Sequence, residues 1–369
     1  MIGLLARGLR AGLALAVGGA VGAAVLEIGL RIHNPIPLRV RGKQIALPVN
    51  KRVIYRNPFP RSKIDPTVVV TRNSLGFRGS DPPRDFAAHR TFLAIGGSTT
   101  ECRFLSDDRT WPARLEARLS HSFDRVWVGN AGFDGHSTFG HLVLMKQVVL
   151  GLHPDHLLLL VGANDVGRAD LNEFDLSIDP AHQSLRDRWI ARSELLSTIQ
   201  VLYRSLRAFR LGLGHLWELD LRTAPTGVVS ELEIERTVAF HRRSFIGAYR
   251  GRLERLVELA LGAGIEPILI TQPALFSDGR DPATGVAIGP VLYAGETAAL
   301  RWRVLDAYND ETRAVGAEHG LLVIDAARDL PHDSRLFYDW MHYTNAGAEA
   351  LATLVGEQLV PHLKGRSDG

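Results

Sequence analysis

Residues 91–101 read TFLAIGGSTTE: a short apolar run, two glycines and then a serine. A short apolar run that ends at a turn signal is typical of a strand buried on both faces of a parallel sheet. The paired glycines Gly96 and Gly97 permit a tight turn after such a strand, and the turn can present the hydroxyl of Ser98. We therefore predict a buried strand over 92–95 with Ser98 at its carboxyl end.

Apolar runs of this kind recur along the rest of the chain and alternate with amphipathic stretches. Further apolar runs of strand length lie at 126–128, 156–161, 267–271 and 321–324. Amphipathic stretches that fit helices lie near 111–120, 138–151, 240–262, 294–318 and 345–359. Alternation of buried strands with helices predicts a doubly wound α/β fold around a five-stranded parallel sheet.

The segment 167–238 interrupts this alternation, because it is far longer than a crossover between two strands needs. We predict a helical insertion there. Its apolar positions at helical spacing are Leu195, Leu196, Ile199, Leu202, Tyr203, Leu206 and Phe209, and arginines occupy positions 192, 204, 207 and 210. Such a basic amphipathic helix fits docking on the core, a lid over the site or contact with a membrane surface.

The bulk composition limits the classes of function. The 369 residues are 46% hydrophobic, which is enough for a substantial core. The 43 basic and 40 acidic residues give a net charge of only +3, so the chain lacks the basic excess of a nucleic-acid-binding protein. A single cysteine, Cys102, excludes an intrachain disulfide and a multi-cysteine metal site.

The N-terminus carries the signal of a membrane segment. Arg7 and Arg10 precede an uncharged apolar stretch over 11–25, which is typical of a signal sequence or a signal anchor. The apolar residues continue without a polar exit, so an uncleaved anchor is favoured over a cleaved signal peptide. The positive-inside rule then predicts that everything after the anchor faces the extracytoplasmic side. Gly18 and Gly22 have the G-x-x-x-G spacing, which allows a homodimer through the anchor.

These patterns divide the chain into three parts. We predict a transmembrane anchor over 1–31, a stalk and N-terminal extension over 32–90, and an α/β domain over 91–365 that contains the insertion at about 167–238. The stalk assignment rests on the many proline-containing turns in that segment.

Polar residues follow the predicted strands at the edge where ligands bind in open α/β sheets. Ser98 follows the first strand, the Gly-rich turn 130–137 the second, and Gly162-Ala163-Asn164-Asp165 the third. Asp339-Trp340-Met341-His342 precedes the last predicted helix. Together they supply a nucleophile, a base, a group that orients the base and donors for an oxyanion, as acyl transfer requires.

The serine and the histidine depend on each other chemically. The hydroxyl of Ser98 is a poor nucleophile at neutral pH until a base removes its proton, and His342 is the best-placed histidine for this role. A carboxylate three residues earlier, Asp339, can turn back to fix the tautomer of the imidazole. We therefore predict a catalytic triad of Ser98, Asp339 and His342.

In these four blocks the sequence resembles the SGNH hydrolases, also called GDSL-like esterases and lipases. The matching blocks, in family order, are Gly96-Gly97-Ser98, Asn130–Gly135, Gly162-Ala163-Asn164-Asp165 and Asp339-Trp340-Met341-His342. The resemblance covers about residues 91–362 apart from the insertion. It implies a flavodoxin-like three-layer α/β/α fold, a serine nucleophile and no cofactor or metal.

The resemblance also implies an oxyanion hole. Its donors would be the backbone N–H groups of Ser98 and Gly135 and the side-chain amide of Asn164, with Gly132 as the alternative glycine. One position departs from the family pattern, because the usual aspartate before the serine is Gly97 here.

A further block, Asn73–Gly79, looks like a segment that precedes the catalytic domain in anchored relatives. It fits either a structural turn with a salt-bridged Arg78 or a part of the substrate site. Asp134, His136 and His141 lack the spacing of a metal motif, so roles at the surface or in support of the site residues are favoured for them.

The function expected from these features is ester hydrolysis through an acyl-enzyme outside the cytoplasm. The expected substrate is an O-acetylated carbohydrate or a short-chain lipid ester. An O-acyltransferase that uses the same triad in polysaccharide modification is the alternative. A third hypothesis is that the protein is a catalytically silent envelope protein that binds glycans, and the complete triad disfavours it.

Overall fold

The computed structural model describes residues 2–34, 36, 40–41, 44–57, 63–169, 184–210 and 219–367. Residues 170–183 and 211–218 of the predicted insertion lie outside this part. The strands are β1 (Val40–Arg41), β2 (Gln44–Ile45), β3 (Lys51–Arg56), β4 (Thr67–Arg72), β5 (Arg90–Gly96), β6 (Val126–Gly132), β7 (His156–Leu160), β8 (Glu266–Ile270), β9 (Leu292–Tyr293), β10 (Glu296–Thr297) and β11 (Val323–Ile324). The helices are α1 (Ile2–Ile32), α2 (Ser98–Glu101), α3 (Trp111–Leu119), α4 (Thr138–Leu144), α5 (Leu150–Leu152), α6 (Leu185–Ile190), α7 (Glu194–Arg210), α8 (Glu231–His241), α9 (Gly247–Gly262), α10 (Ala298–Glu318), α11 (Ala326–Asp329) and α12 (Asn345–Ser367).

The central sheet has five parallel strands in the order β11-β8-β7-β5-β6. In the register of this sheet, Leu93 of β5 is the partner of both Gly129 in β6 and Leu157 in β7. The strand that follows β5 in the chain, β6, lies on one side of β5, and the next strand, β7, lies on the other side. The strand order therefore reverses between β5 and β7, and this point is the switch point of the sheet. The predicted flavodoxin-like sheet is confirmed.

Helices cover the two faces of this sheet in two groups. The first group is α3 and α12, which pack against each other, and the second is α4, α9 and α10, in which α9 contacts both others. The strands between them are almost wholly apolar because both of their faces are buried. Fully buried examples are Phe92, Ile95, Leu158 and Leu269. The three-layer α/β/α architecture is confirmed.

Strand β6 extends beyond the apolar run from which it was predicted. The run ends at Val128, but β6 continues to Gly132. A side chain at Gly129 would lie 2.3 Å from the ring of Trp127, and one at Gly132 would lie 2.2 Å from the backbone nitrogen of Glu101. These glycines are therefore needed for close packing within a strand, although in sequence they read as a turn.

One compact unit of the chain contains the sheet and consists of Leu47–Leu176 and Gly214–Gly369. It begins before residue 91, the start of the domain expected from the sequence. The physical reason is the hairpin of β3 and β4, which is followed by Arg78. The backbone amide of Arg78 donates to the carbonyl of Asn130 at 2.8 Å, within the edge strand β6 of the sheet.

The Arg78 side chain ties this N-terminal segment to the loop after β5. Arg78 is 2% exposed, and its guanidinium donates to the backbone carbonyls of Glu101, Cys102 and Leu105. Its Nε also contacts the Asp107 carboxylate at 3.0 Å. With these hydrogen bonds satisfied inside the protein, Arg78 has the structural role that was one of its two sequence interpretations.

The other compact unit consists of Met1–Ala46 and Ser177–Leu213. Its long helix α1 includes Arg10–Ile32, which is long and apolar enough to cross a membrane, and none of this stretch is buried. Helix α7 packs against α1 within this unit.

Candidate active site

Ser98 lies where β5 ends and the short helix α2 begins. Gly97 is the N-cap of this helix, and its carbonyl accepts the backbone amides of Thr100 and Glu101. The Ser98 amide therefore belongs to the first turn, whose N–H groups have no partner within the helix. The Ser98 side chain is 6% exposed.

His342 and Asp339 come from the loop that precedes α12. The Ser98 hydroxyl lies 2.8 Å from Nε2 of His342. The other ring nitrogen, Nδ1, lies 2.7 and 2.9 Å from the two carboxylate oxygens of Asp339. The backbone amides of Met341 and His342 also donate to Asp339 at 3.0 and 2.9 Å. The structure thus brings the three predicted residues together in the order serine, histidine, aspartate.

The electrostatics of the pair suit a base that gains a proton during reaction. Burial alone would lower the pKa of His342, but the charge and hydrogen bond of Asp339 raise it above its ordinary value. Burial alone would raise the pKa of Asp339, but His342 and the amides of Met341 and His342 lower it below its ordinary value. Asp339 is therefore ionised and stabilises the imidazolium.

Tyr338 fixes the plane of the histidine ring. The two rings are stacked, with centroids 5.6 Å apart and an angle of 13° between the planes. The Tyr338 amide also donates to the carbonyl of His342 at 2.9 Å. These contacts limit the rotation of the imidazole.

The two candidate glycines of the oxyanion hole differ in what their amides do. The Gly132 amide donates to the side-chain oxygen of Asn130 at 3.0 Å, so its N–H is already used. Gly135 has a φ of +72°, which favours glycine, and lies in the turn between β6 and α4. Among the described residues, the Gly135 amide has no hydrogen-bond acceptor.

Asn164 lies in a short 3₁₀ turn after β7, across the switch point from Ser98. Its side-chain nitrogen donates to the carbonyl of His136 at 3.0 Å. An amide nitrogen carries two hydrogens, so one N–H is held by His136 and a second can serve another acceptor. A side chain at Gly97 would lie 2.3 Å from this same nitrogen. Asn164 thus occupies the space into which a residue larger than glycine at position 97 would project.

Sequence analysis did not identify Glu101 as part of the site. Its carboxylate is buried, pairs with the Arg72 guanidinium and accepts the backbone amide of Asp134 at 2.6 Å. It therefore joins the helix that carries Ser98 to the turn that carries Gly135. The sequence shows only an acidic residue three positions after the serine, and nothing in it indicates that partner.

Asp165 was quoted only as the last residue of the asparagine block. It is fully buried and accepts the backbone amide of Thr138 at 3.1 Å and the guanidinium of Arg252 at 3.0 Å. Burial raises the pKa of Asp165, and Arg252 and Thr138 oppose this. The carboxylate thus joins the asparagine block to the start of α4.

Histidine and acidic side chains near the site could also act as metal ligands. Within the part of the chain that the structure describes, no group of three His, Cys, Asp or Glu side chains is placed to hold a metal ion. The rings of His136 and His141, which are both buried, lie 6.0 Å apart.

The model of the GDSL-like lipase/acylhydrolase family matches residues 94–350, which is most of the compact unit around the sheet. The chain belongs to this family. The resemblance seen in the sequence is thereby confirmed, and the protein is an esterase of the SGNH, or GDSL-like, type. No curated protein matches the chain significantly in sequence.

Two solved structures align with the chain at low sequence identity. A lipase/acylhydrolase from Enterococcus faecalis is 18% identical, with 75% of this chain and 96% of that chain covered and a TM-score of 0.41. An acetylxylan esterase from Geobacillus stearothermophilus is 16% identical, with 73% and 93% covered and a TM-score of 0.42.

Proposed function

We propose that the protein hydrolyses a carboxylic ester outside the cytoplasm through an acyl-enzyme on Ser98. The observation that carries this proposal is the continuous chain of hydrogen bonds from Ser98 through His342 to Asp339. It couples a hydroxyl, a base and a buried carboxylate in one line.

In the first step, Oγ of Ser98 attacks the ester carbonyl carbon and its proton passes to Nε2 of His342. Asp339 stabilises the imidazolium. When the tetrahedral intermediate collapses, the ester C–O bond breaks and the leaving alcohol takes the proton from His342. The acyl group stays on Ser98. Water then attacks the acyl carbon, and His342 accepts its proton. The bond between the acyl carbon and Oγ of Ser98 breaks, His342 returns the proton to Oγ, and the carboxylic acid is released.

The negative charge on the carbonyl oxygen needs donors that are fixed before the reaction begins. We assign this role to the backbone amides of Ser98 and Gly135 and the side-chain amide of Asn164. Support comes from the geometry of each: a first-turn amide, an amide with no acceptor among the described residues, and a side-chain nitrogen oriented by His136. The use of the Gly132 amide by Asn130 argues against the alternative glycine.

The N-terminal helix supports the proposed extracytoplasmic location. Arg10–Ile32 spans about 35 Å at 1.5 Å per residue, against roughly 30 Å for the hydrocarbon core of a bilayer. Arg7 and Arg10 at the start of this helix favour a cytoplasmic N-terminus. The esterase unit then lies on the opposite side of the membrane.

The surface near the triad favours a carbohydrate ester over a lipid ester. Arg103 and Asp134 form a half-exposed ion pair at 3.4 Å, and the carboxylate of Asp134 contributes to the raised pKa of His342. The guanidinium of Arg103 also lies 5.8 Å from the ring centre of Tyr55. Charged and aromatic side chains together suit the hydroxyl groups and the apolar ring faces of sugars.

The proposal is tested by steady-state hydrolysis of p-nitrophenyl acetate with the full chain in detergent. Ser98→Ala is expected to lower kcat by at least about 10⁴-fold. The matched control is Ser122→Ala, because Ser122 is an exposed serine after α3 and its loss is expected to leave the rate unchanged. Equal rates for wild type and Ser98→Ala would overturn the assignment of the nucleophile.

A hydrolase and a transferase form the same acyl-enzyme and differ in the acceptor of the acyl group, which can be measured. Acetylated oligosaccharide is expected to release acetate, and an added unacetylated oligosaccharide is expected to gain no acetyl group. Transfer to the oligosaccharide in place of acetate release would instead identify an O-acyltransferase. If no acetylated carbohydrate loses its acetyl group, either to water or to another sugar, the carbohydrate assignment is wrong.

A further inference from the structure

The compact unit that contains α1 and α7 exposes apolar side chains and buries polar ones. Five apolar side chains of α7 are 45–64% exposed, namely Leu196, Ile199, Leu202, Tyr203 and Leu206. At 100° per residue these positions form one stripe along the helix. Ser197 and Thr198, which point away from the stripe, are buried at 8% and 6% exposure. A helix docked on a water-soluble core has the opposite arrangement.

The buried face of α7 is held by a carboxylate of α1. Glu27 accepts hydrogen bonds from the Ser193 hydroxyl at 2.7 Å and from the backbone amides of Glu194 and Leu195 at 3.1 and 3.0 Å. These amides belong to the first turn of α7, where N–H groups lack partners within the helix. Arg31 also donates to Glu27 at 2.7 Å, so the carboxylate is neutralised as well as hydrogen-bonded.

Further polar contacts join the same two segments. The side chain of Asn34 donates to the Glu194 carboxylate and to the Thr198 hydroxyl, both at 2.9 Å. The guanidinium of Arg31 donates to the carbonyl of Arg192 at 2.7 Å. Polar groups therefore fix α7 to the end of α1, and the apolar stripe is left on the outside.

A single environment suits both exposed apolar surfaces. Helix α1 is apolar and unburied over Arg10–Ile32, and the stripe of α7 adjoins the end of that stretch through the Glu27 contacts. Hydrocarbon solvates apolar side chains without the cost that water imposes, and it favours pairing of polar groups within the protein.

We propose that α7 lies in the membrane interface, with its stripe turned to the acyl chains of the bilayer that α1 crosses. This inference rests on the anchor proposed above. Glu27 is five residues from the end of α1, about 8 Å along its axis. That matches the burial of roughly 5–10 Å reached by amphipathic interfacial helices. Trp189, which is 67% exposed and lies just before α7, has the residue type enriched at this depth.

The experiment measures the depth of α7 in the full chain, reconstituted in phosphatidylcholine vesicles. Ile199→Cys on the stripe and Ser205→Cys, an exposed polar position off the stripe, are each labelled with an environment-sensitive fluorophore. The parent chain, whose only cysteine is buried, controls for labelling elsewhere. We expect a nitroxide on the lipid acyl chain to quench the label at 199 several-fold more than the label at 205. Aqueous iodide should show the reverse order.

Each other outcome overturns the inference. If the protein floats with the vesicles but iodide quenches both labels equally, α7 is outside the bilayer while the anchor stands. If the protein does not float with the vesicles, the anchor fails too. If the label at 199 is shielded from iodide without nitroxide quenching, and dilution below one chain per vesicle removes the shielding, a second copy covers the stripe.

Discussion

The carboxylate of Glu101 accepts the backbone amide of Asp134 at 2.6 Å, and Glu101 lies three residues after Ser98. One side chain thereby joins the helix that carries Ser98 to the turn that contains Gly135. The Arg72 guanidinium supplies the opposite charge beside this buried carboxylate.

Glu101→Gln is expected to lower kcat by up to about 10²-fold with little change in KM, because the Gly135 turn loses its charged acceptor and shifts. A purely structural role would act only through stability. Arg72→Met combined with Glu101→Gln removes both buried charges and should recover much of the lost thermal stability. If kcat recovers together with Tm in this double variant, Glu101 does not position the turn.

The contact of Glu101 with Asp134 shows where sequence reasoning ends. The strands were predictable because a strand buried on both faces must be apolar throughout, as Phe92–Ile95 is. The contact of Ser98 with His342 and of His342 with Asp339 was predictable because these residues lie at a strand end and before a helix, where one cleft collects them. The partner of Glu101 was not predictable. Glu101 binds the backbone amide of residue 134, and almost every residue type has such an amide, so the sequence at 134 does not reveal the contact. The length of β6 was misjudged for a related reason, since glycines that allow close packing look like turn glycines.

Gly97 occupies the position where the family usually has an aspartate. The structure predicts that a larger residue at this position would clash with Asn164. A side chain at position 97 would lie 2.3 Å from the side-chain nitrogen of Asn164. Gly97→Ala should therefore displace Asn164 and lower kcat by up to about 10²–10³-fold, the usual effect of losing one oxyanion donor. Gly251→Ala, at an open helical position, is the matched control. Unchanged kcat in Gly97→Ala would show that Asn164 is not a donor.

The dependence of activity on pH follows from the raised pKa of His342. The base must be neutral to accept the proton of Ser98, so kcat/KM should rise with pH through a midpoint above the ordinary value of 6.5. Asp339→Asn removes the charge that raises this pKa, so the midpoint should move to lower pH while kcat falls by about 10⁴-fold. Asp108→Asn, at an exposed carboxylate, should leave the profile as it is. A midpoint that stays in place in Asp339→Asn would contradict the assignment.

We expect Cys102, which lies four residues after Ser98, to take no part in this chemistry. Burial raises the pKa of its thiol to about 12, so very little thiolate is present at neutral pH. A maleimide should leave the native chain unlabelled and fully active at pH 7.5, and should add one equivalent after denaturation. Rapid labelling of the native protein with loss of activity would place Cys102 at the site.

The account depends most directly on Ser98 being the atom that becomes acylated. An aryl alkylphosphonate, which forms a stable adduct with an activated serine, followed by peptide mass spectrometry, tests this in one measurement. We predict a single adduct on the peptide that contains Ser98, with none in Ser98→Ala and a much slower reaction in His342→Ala. An adduct on any other residue, or one that persists in Ser98→Ala, would contradict the account.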